Sequence, residues 1–510
     1  MCSWCDAFLY EFLDDLDYSF MPYKSPVYAV INLGSSTISG MVACKDGMGR
    51  VIPLGYAEEP SKKSIFHGTV QNIDATGEII TSIIKQLNGC LEENYHIQRV
   101  YIGVDCMTLR SHKEKFSHKM NEESTPISQE MLDDFQQRVK EKRYEGREII
   151  HIADPFFTID SIHTTKPLGV VCRDKFEAHY RLISVRSSIA RNIRSVIEDH
   201  LHLTLVQILV APLCESSVVL SPTQKELGCA YINVGGGTTS VAVFLRGCLE
   251  QLNVYPFGGI NVTKDLTDLK IVEDDAERLK IEHASAMRSS EDRNETVQLL
   301  TETSEQPTTY RKIDINNLSS MRMKEIIHNA VAIVGYSEVP KEQLRAGYIF
   351  AGGGTKIRNM KELIEMYCSS NYTLIRTIKR EIISDEITDL SDSLLYSSDP
   401  RFITLLGLAL EAQEDCLEVT HKTLSELVES TLEAKSETPS SATSNDGGLF
   451  PDSENMEDPN QEIHSETNNG GSRGFSLKKK SKGFLQNVTD KISSLVTPQE
   501  EDEETPFGDF

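Results

Sequence analysis

The chain has 510 residues, 39% of them hydrophobic and 25% charged, so more than one hydrophobic core is expected. Its formal net charge of -25 counts against general nucleic-acid binding, and no run approaches the roughly 20 apolar residues that span a bilayer. The eleven cysteines, among them Cys44, Cys172, Cys229 and Cys248, have no paired spacing beyond Cys2 and Cys5, which predicts free thiols rather than a disulfide framework.

Residues 1–24 combine Phe8, Leu9, Phe12 and Leu13 with Asp6, Glu11, Asp14, Asp15 and Asp17. They lack the basic start of a signal peptide, so a cytoplasmic chain is expected. Met21 lies just ahead of the first strand, and two readings of 1–24 stay open: a functional arm or a mis-assigned start.

From Tyr28 to Ala43 an apolar strand carrying Asn32 runs into Gly34, Ser35, Ser36 and Thr37 and then into a second strand. Val51–Tyr56 supplies a third, Ile73–Leu91 has helical apolar spacing at Ile79, Ile80, Ile83, Ile84 and Leu87, and Val100–Val104 is a buried strand. Residues 25–104 thus form half of a layered α/β unit. The rhythm breaks over 105–183, with a charged stretch His112–Glu123, a helix Ser128–Lys142 and short strands at Ile149–Ile152, Phe156–Ile159 and Phe176–Tyr180. Such length with its own periodicity predicts an inserted α+β subdomain rather than a loop. The rhythm resumes over 184–225, through the helix Ser187–His200 and the strand Leu205–Leu209.

A second half is expected over 226–412. Its hairpin, Ala230–Phe244, repeats the first design, with Asn233 ahead of Gly235, Gly236, Gly237, Thr238 and Thr239. Val254–Phe257 continues the meander, Gly258 and Gly259 turn the chain, and Asn261–Leu269 starts a helix with a polar cap. On the helix Asp274–Ala286, Glu277 and Lys280 share a face. Ser289–Pro307 reads as a polar loop, and Asn317–Gly335 as a helix with Met321, Ile326, Ile327, Ala330 and Val334 on its apolar side. The strand from Tyr348 ends in a third glycine turn, Gly352, Gly353, Gly354 and Thr355. Helices at Met360–Cys368 and Phe402–Ala412 follow, Gly407 allowing close approach in the latter.

Beyond the second half the composition changes. Glu411 to Phe510 holds 22 acidic and 8 basic residues, and 413–474 reads as a disordered acidic linker. Residues 475–497 place Phe484, Leu485, Val488, Ile492, Leu495 and Val496 on one helical face behind Lys478, Lys479, Lys480 and Lys482, and 498–510 is acidic again. A calmodulin-like target, a partner-docking helix and an interfacial membrane anchor all fit that pattern. The lysine block suits anionic headgroups.

Two strand-turn-strand units with bare glycine amides suggest an anion cradle between related halves, Gly34–Ser36 facing Gly235–Thr238. The hydroxyls of Ser35, Ser36, Thr238 and Thr239 add hydrogen bonds, Gly352–Gly354 lies against a base and sugar, and Glu277 and Lys280 meet polar edges. Asn32, Thr37, Asn233, Gly258, Gly259 and Thr355 complete the candidate set.

The INLGSST and INVGGGTTSVAVF hairpins with AGGGT resemble the phosphate and adenosine motifs of the actin, heat-shock-chaperone and sugar-kinase superfamily. The site of the insertion, HGTVQNID at His67–Asp74, PFGGINVTKDL at Pro256–Leu266 and DDAERLKIEHASA at Asp274–Ala286 resemble the bacterial cell-division family FtsA, over about Val27 to Ala412 plus the tail. The resemblance implies an α/β, actin-like duplicated ATPase fold with an inserted α+β subdomain, a disordered C-terminal linker and a terminal amphipathic helix. It implies ATP or ADP with Mg2+ as cofactor and self-assembly into filaments or dimers. It further implies attachment to the cytoplasmic side of the inner membrane at the division site, and contacts with other division proteins. The C-terminal peptide of the tubulin-like protein FtsZ would be gripped within about 261–347, where Met321–Glu325 resembles an arginine-bearing helix and Arg322 would meet the peptide's acids.

Departures from the pattern bear on turnover. Acids generally stand where this chain has Asn32 and Asn233, and often at Ser240, and an amide keeps an acceptor oxygen but no charge for Mg2+. Ala211 stands where active relatives carry a residue that orients the attacking water, and Glu215 lies nearby on a helix direction that can turn it away. Nucleotide binding with at most weak ATPase activity, and with no assigned catalytic residue or protein metal ligand, is therefore expected. An ATPase or kinase of the same superfamily with a partner-docking tail is the alternative. A sugar or acetate kinase would need a cleft acid as base, and a chaperone ATPase a β-domain after the core.

Overall fold

A computed structural model describes residues 25–120, 124–300, 306–369, 371–375, 382–384 and 401–419. Apolar runs near the start build an antiparallel meander of β1 (Val27–Leu33), β2 (Thr37–Lys45) and β3 (Val51–Pro60). The helix α1 (Ile73–Asn88) begins at Asn72, whose side-chain oxygen accepts from the Ala75 N–H at 3.0 Å. Its buried Ile80, Ile83 and Leu87 cover the sheet, and β4 (Arg99–Val104) returns parallel to β1.

The insertion forms its own antiparallel sheet from β5 (Arg110–Lys119), β6 (Arg147–Ile159), β7 (Ile162–Thr164) and β8 (Lys175–Arg186), in the order β7-β6-β8-β5. Phe176, Ala178, Tyr180 and Leu182 alternate along β8 into a core shared with Phe135 and Val139 of α2 (Gln129–Lys140). Sequence reading missed β5 because it is an edge strand, with only Phe116 buried among its charged residues. The two short strands expected around Asp154 and Pro155 are one strand, β6, with a register shift between Ala153 and Phe156. A bulge there tolerates the missing proline N–H.

The chain re-enters the first sheet through α3 (Ser187–Arg194), a π-helical turn at Ser195–His200, β9 (Thr204–Val210) and α4 (Ala211–Val219). The strand order is β9-β4-β1-β2-β3. The second half repeats it. β10 (Cys229–Val234), β11 (Thr239–Leu245) and β12 (Cys248–Tyr255) form the meander, and β15 (Tyr348–Ala351) and β16 (Tyr372–Leu374) add in parallel, giving β12-β11-β10-β15-β16 once the intervening elements are set aside. This duplicated sheet topology with an insertion after β4 is the actin-like α/β arrangement.

Those intervening elements are α5 (Gly259–Leu266), α6 (Glu273–His283), the hairpin β13 (Thr296–Leu299) and β14 (Thr308–Arg311), and α7 (Lys312–Gly335). Part of the expected polar loop 289–307 is therefore strand, Val297 and Leu299 being buried. Met321 is not on the apolar side of α7. It is 68% exposed, whereas Ile326, Ile327, Ala330 and Val334 join the core with Leu266, Leu279, Phe350 and Leu363. Finally α8 (Met360–Cys368) precedes α9 (Arg401–Glu411), where a Cβ on Gly407 would collide with the Cys214 carbonyl of α4. Nine described cysteines are free thiols, as expected.

Candidate functional site

Both meanders turn in the same register. Leu33 pairs with Ile38 and Val234 with Thr239, leaving four-residue turns at Gly34–Thr37 and Gly235–Thr238. A side chain on Gly34 would run into the Thr37 carbonyl, so only glycine fits that bend. The two turns face each other closely: a Cβ on Gly236 would strike Ser36 Oγ, and one on Gly237 would strike Ser35 Oγ. His67 Nδ1 lies 2.6 Å from the Gly237 carbonyl, and the Gly68 N–H donates to Ser35 Oγ at 3.0 Å. The HGTVQNID segment therefore braces the facing turns, a role its sequence did not signal.

Between them lies a cavity of about 430 Å³, within the range of small-molecule sites. Asn32, Gly34, Ser35, Ser36 and Thr37 line it from the first half, and Asn233, Gly235, Gly236, Gly237 and Thr238 from the second. Gly259, Glu277 and Lys280 join from α5 and α6, and Gly352, Gly353 and Gly354 from the turn after β15. Lys280 Nζ donates to Glu277 at 2.6 Å and to Thr263 Oγ1 at 3.0 Å, which holds this pair in place. Gly352 has φ +97, and a Cβ there would overlap the Asn233 side-chain oxygen, so glycine is required where β10 and β15 meet.

Three expected residues do not line the cavity. Thr239 Oγ1 is buried and donates to the Phe257 carbonyl at 2.7 Å, because the strand alternation turns it away from the cleft. Thr355 is buried and donates to the Gly352 carbonyl at 2.8 Å, closing its own turn. Gly258 packs against the Gly235 and Gly236 carbonyls, which accept from the N–H groups of Gly259 and Ile260 at 3.0 and 2.8 Å. The first amides of α5 are thus spent on the turn. The expected polar cap of that helix comes from Asn261, in its first turn, whose side-chain oxygen accepts from the Gly258 N–H at 2.9 Å.

Two carboxyl groups that the sequence did not place in a cleft line it as well. Asp105 follows β4, where Asn32 registers with Gly103, and reaches across to the second half. Its carboxylate accepts from Ser240 Oγ and, at 3.2 Å, from Thr238 Oγ1. Burial pushes its pKa up to about 6, against the two hydroxyl bonds, which lower it. Glu215 is not turned away by α4. Its oxygens accept from Tyr231 Oη at 2.9 Å and Thr404 Oγ1 at 2.6 Å, and burial first, then the Asp105 charge, pushes its pKa up to about 8.

Backbone amides and small hydroxyls suit phosphate, while the apolar Val262, Ile281, Met323 and Ile357 offer a face for a base. The oxygen donors here are of the hard type that Mg2+ takes, so the residues fit a Mg2+-nucleotide. Arg322 lies on α7 with its fork already on Asp265, at 2.7 and 2.9 Å, and on Glu325 at 2.5 Å. The Asp265 bonds raise the guanidinium's pKa. A peptide carboxylate would have to displace one of these partners. The residues expected to form a membrane-binding helix, from Lys478 to Val496, fall outside the described residues.

Comparison with known proteins agrees with this architecture. The family model for cell division protein FtsA matches residues 230–407. The cell division protein FtsA of Porphyromonas gingivalis is 35% identical over 426 residues, covering 84% of this chain and 86% of its own. That of Escherichia coli K12 is 24% identical, covering 76% and 90%. Among solved structures, a PilM-PilN type IV pilus biogenesis complex covers 75% of this chain and 97% of its own at 13% identity and a TM-score of 0.49, too loose a likeness to bear on function. With a relative this similar across most of both chains, and with the duplicated cleft in place, the chain belongs to the FtsA family of cell division proteins.

Proposed function

We propose that this chain is a nucleotide-dependent adaptor of cell division. It binds ATP or ADP with Mg2+ between its two halves, assembles with itself into actin-like filaments and links FtsZ to the cytoplasmic face of the inner membrane. The observation that carries the nucleotide reading is the pair of equivalent glycine turns facing each other across the cavity. Gly34–Ser36 and Gly235–Thr238 would hold the phosphates, with Mg2+ supplying charge compensation between them. Asn32 and Asn233 would offer acceptor oxygens without adding charge. Lys280 and Glu277 would meet the sugar or base edges near Gly352–Gly354.

Binding rather than rapid turnover is the favoured role. Ala211 carries only a methyl group and has no polar atom to orient a water, and Glu215, its pKa raised to about 8 and bonded to Tyr231 and Thr404, is a poor base. The Met321–Glu325 face of α7 would take the FtsZ peptide, exposed Met321 beside Arg322. The terminal helix with Lys478–Lys480 and Lys482 would hold the membrane surface, and the inserted subdomain other division proteins or a neighbouring protomer. Titration of the full chain with ATP and Mg2+ tests the core of the reading. Saturable binding is expected, and its loss in Gly237→Val, whose side chain would enter the space of Ser35. No binding by the wild-type chain sinks the proposal.

A further inference from the structure

Three carboxyl groups line the cavity, and they differ in what already holds them. Glu277 is paired with Lys280 at the α5–α6 side. Glu215 is fixed by two hydroxyl donors between α4, β10 and α9. Asp105 alone sits against the glycine turns. Its partners are the hydroxyls of Thr238 and Ser240, and among the described residues no cation is paired with it.

Register shows where that carboxylate stands. Ser240 is the cross-strand partner of Asn233, as Ser39 is of Asn32, and Asn32 lies beside Gly103, two residues before Asp105. Asp105 therefore springs from the strand next to Asn32 and ends on the Asn233–Ser240 rung. It brings one negative charge to the place where both asparagines contribute only amides. A buried carboxylate with hydroxyl donors alone is costly to charge, and its raised pKa reflects that cost. A divalent cation with phosphate oxygens would compensate it, since Mg2+ needs only one or two carboxylates when a nucleotide supplies further ligands.

On the nucleotide reading above, we infer that Asp105 is the carboxylate through which this chain holds the divalent cation of a bound nucleoside triphosphate, directly or through an ordered water, in place of acids at Asn32, Asn233 and Ser240. Ser240 and Thr238 are positioning residues that aim it. The cation is then shared across the halves by a group of the first half that is steered from the second.

The test titrates the full chain with ATP in Mg2+ and in EDTA. Wild type is expected to bind about tenfold more tightly with Mg2+. Asp105→Asn, which keeps one acceptor oxygen and puts an NH2 donor in place of the other, is expected to bring the two affinities within about twofold of each other. Asp105→Ser is the second variant should the amide not fold, with the same expectation. Asp105→Asn combined with Ser240→Asp, which returns a carboxylate to the rung, is expected to restore the Mg2+ preference. A folded variant at position 105 that keeps the full Mg2+ preference overturns the inference, as does wild-type binding that is equal in Mg2+ and EDTA; the nucleotide reading survives both. Wild type that binds no ATP in either buffer overturns the nucleotide reading itself.

Discussion

Asp105 and Glu215 share a cleft, and burial raises the pKa of both, to about 6 and about 8, the Asp105 charge adding to the rise at Glu215. Glu215 has a folded pKa of about 8 against an ordinary 4.5, so between these values the folded chain holds a proton that the unfolded chain has released. Stability contributed by this group is present below the unfolded pKa and is lost as pH rises through the folded one. Glu215→Gln keeps the shape and removes the titration. Chemical denaturation from about pH 5 to 8 should show the wild-type slope reduced by about 1 kcal/mol per pH unit in the variant. Parallel slopes would mean that the Tyr231 and Thr404 hydroxyls stabilise the charged form at least as much as burial and the Asp105 charge oppose it.

Among the elements, the contact of α5 with α7 carries the next expectation. Asp265 of α5 takes two bonds from Arg322 of α7 and so occupies the fork proposed for an acidic peptide. Arg322→Ala should weaken binding of the FtsZ C-terminal peptide about tenfold, the scale of one charge-assisted pair. Asp265→Ala, which frees the fork, should strengthen it. Fluorescence anisotropy with a labelled peptide reads both, and an unchanged affinity in Arg322→Ala would move the peptide elsewhere. Elements also show why strands were harder to read than helices. The apolar periodicity of α1 and α8 is local, whereas β5, with one buried side chain, exists only because β8 pairs with it.

For the whole molecule, the tail proposed as a membrane anchor separates the adaptor from a nucleotide-binding relative with a docking helix. Full-length chain should pellet with anionic liposomes, less so as salt rises, and a chain ending at Gly474 should stay in the supernatant. Equal pelleting of both removes the anchor. The duplicated plan itself was legible in the sequence, because glycine turns between apolar strands are local chemistry: Gly34–Thr37 and Gly235–Thr238 have to be turns whatever surrounds them. Sixteen of the nineteen candidate cleft residues line the cavity, most of them on or beside those turns. What the linear order could not supply was direction and partnership across the halves. Thr239 and Thr355 turn inward because burial and a carbonyl claim them. Glu215 enters the cleft because α4 packs under Gly407. Asp105 meets Ser240, 135 positions away, because two separately formed sheets bring their turns face to face.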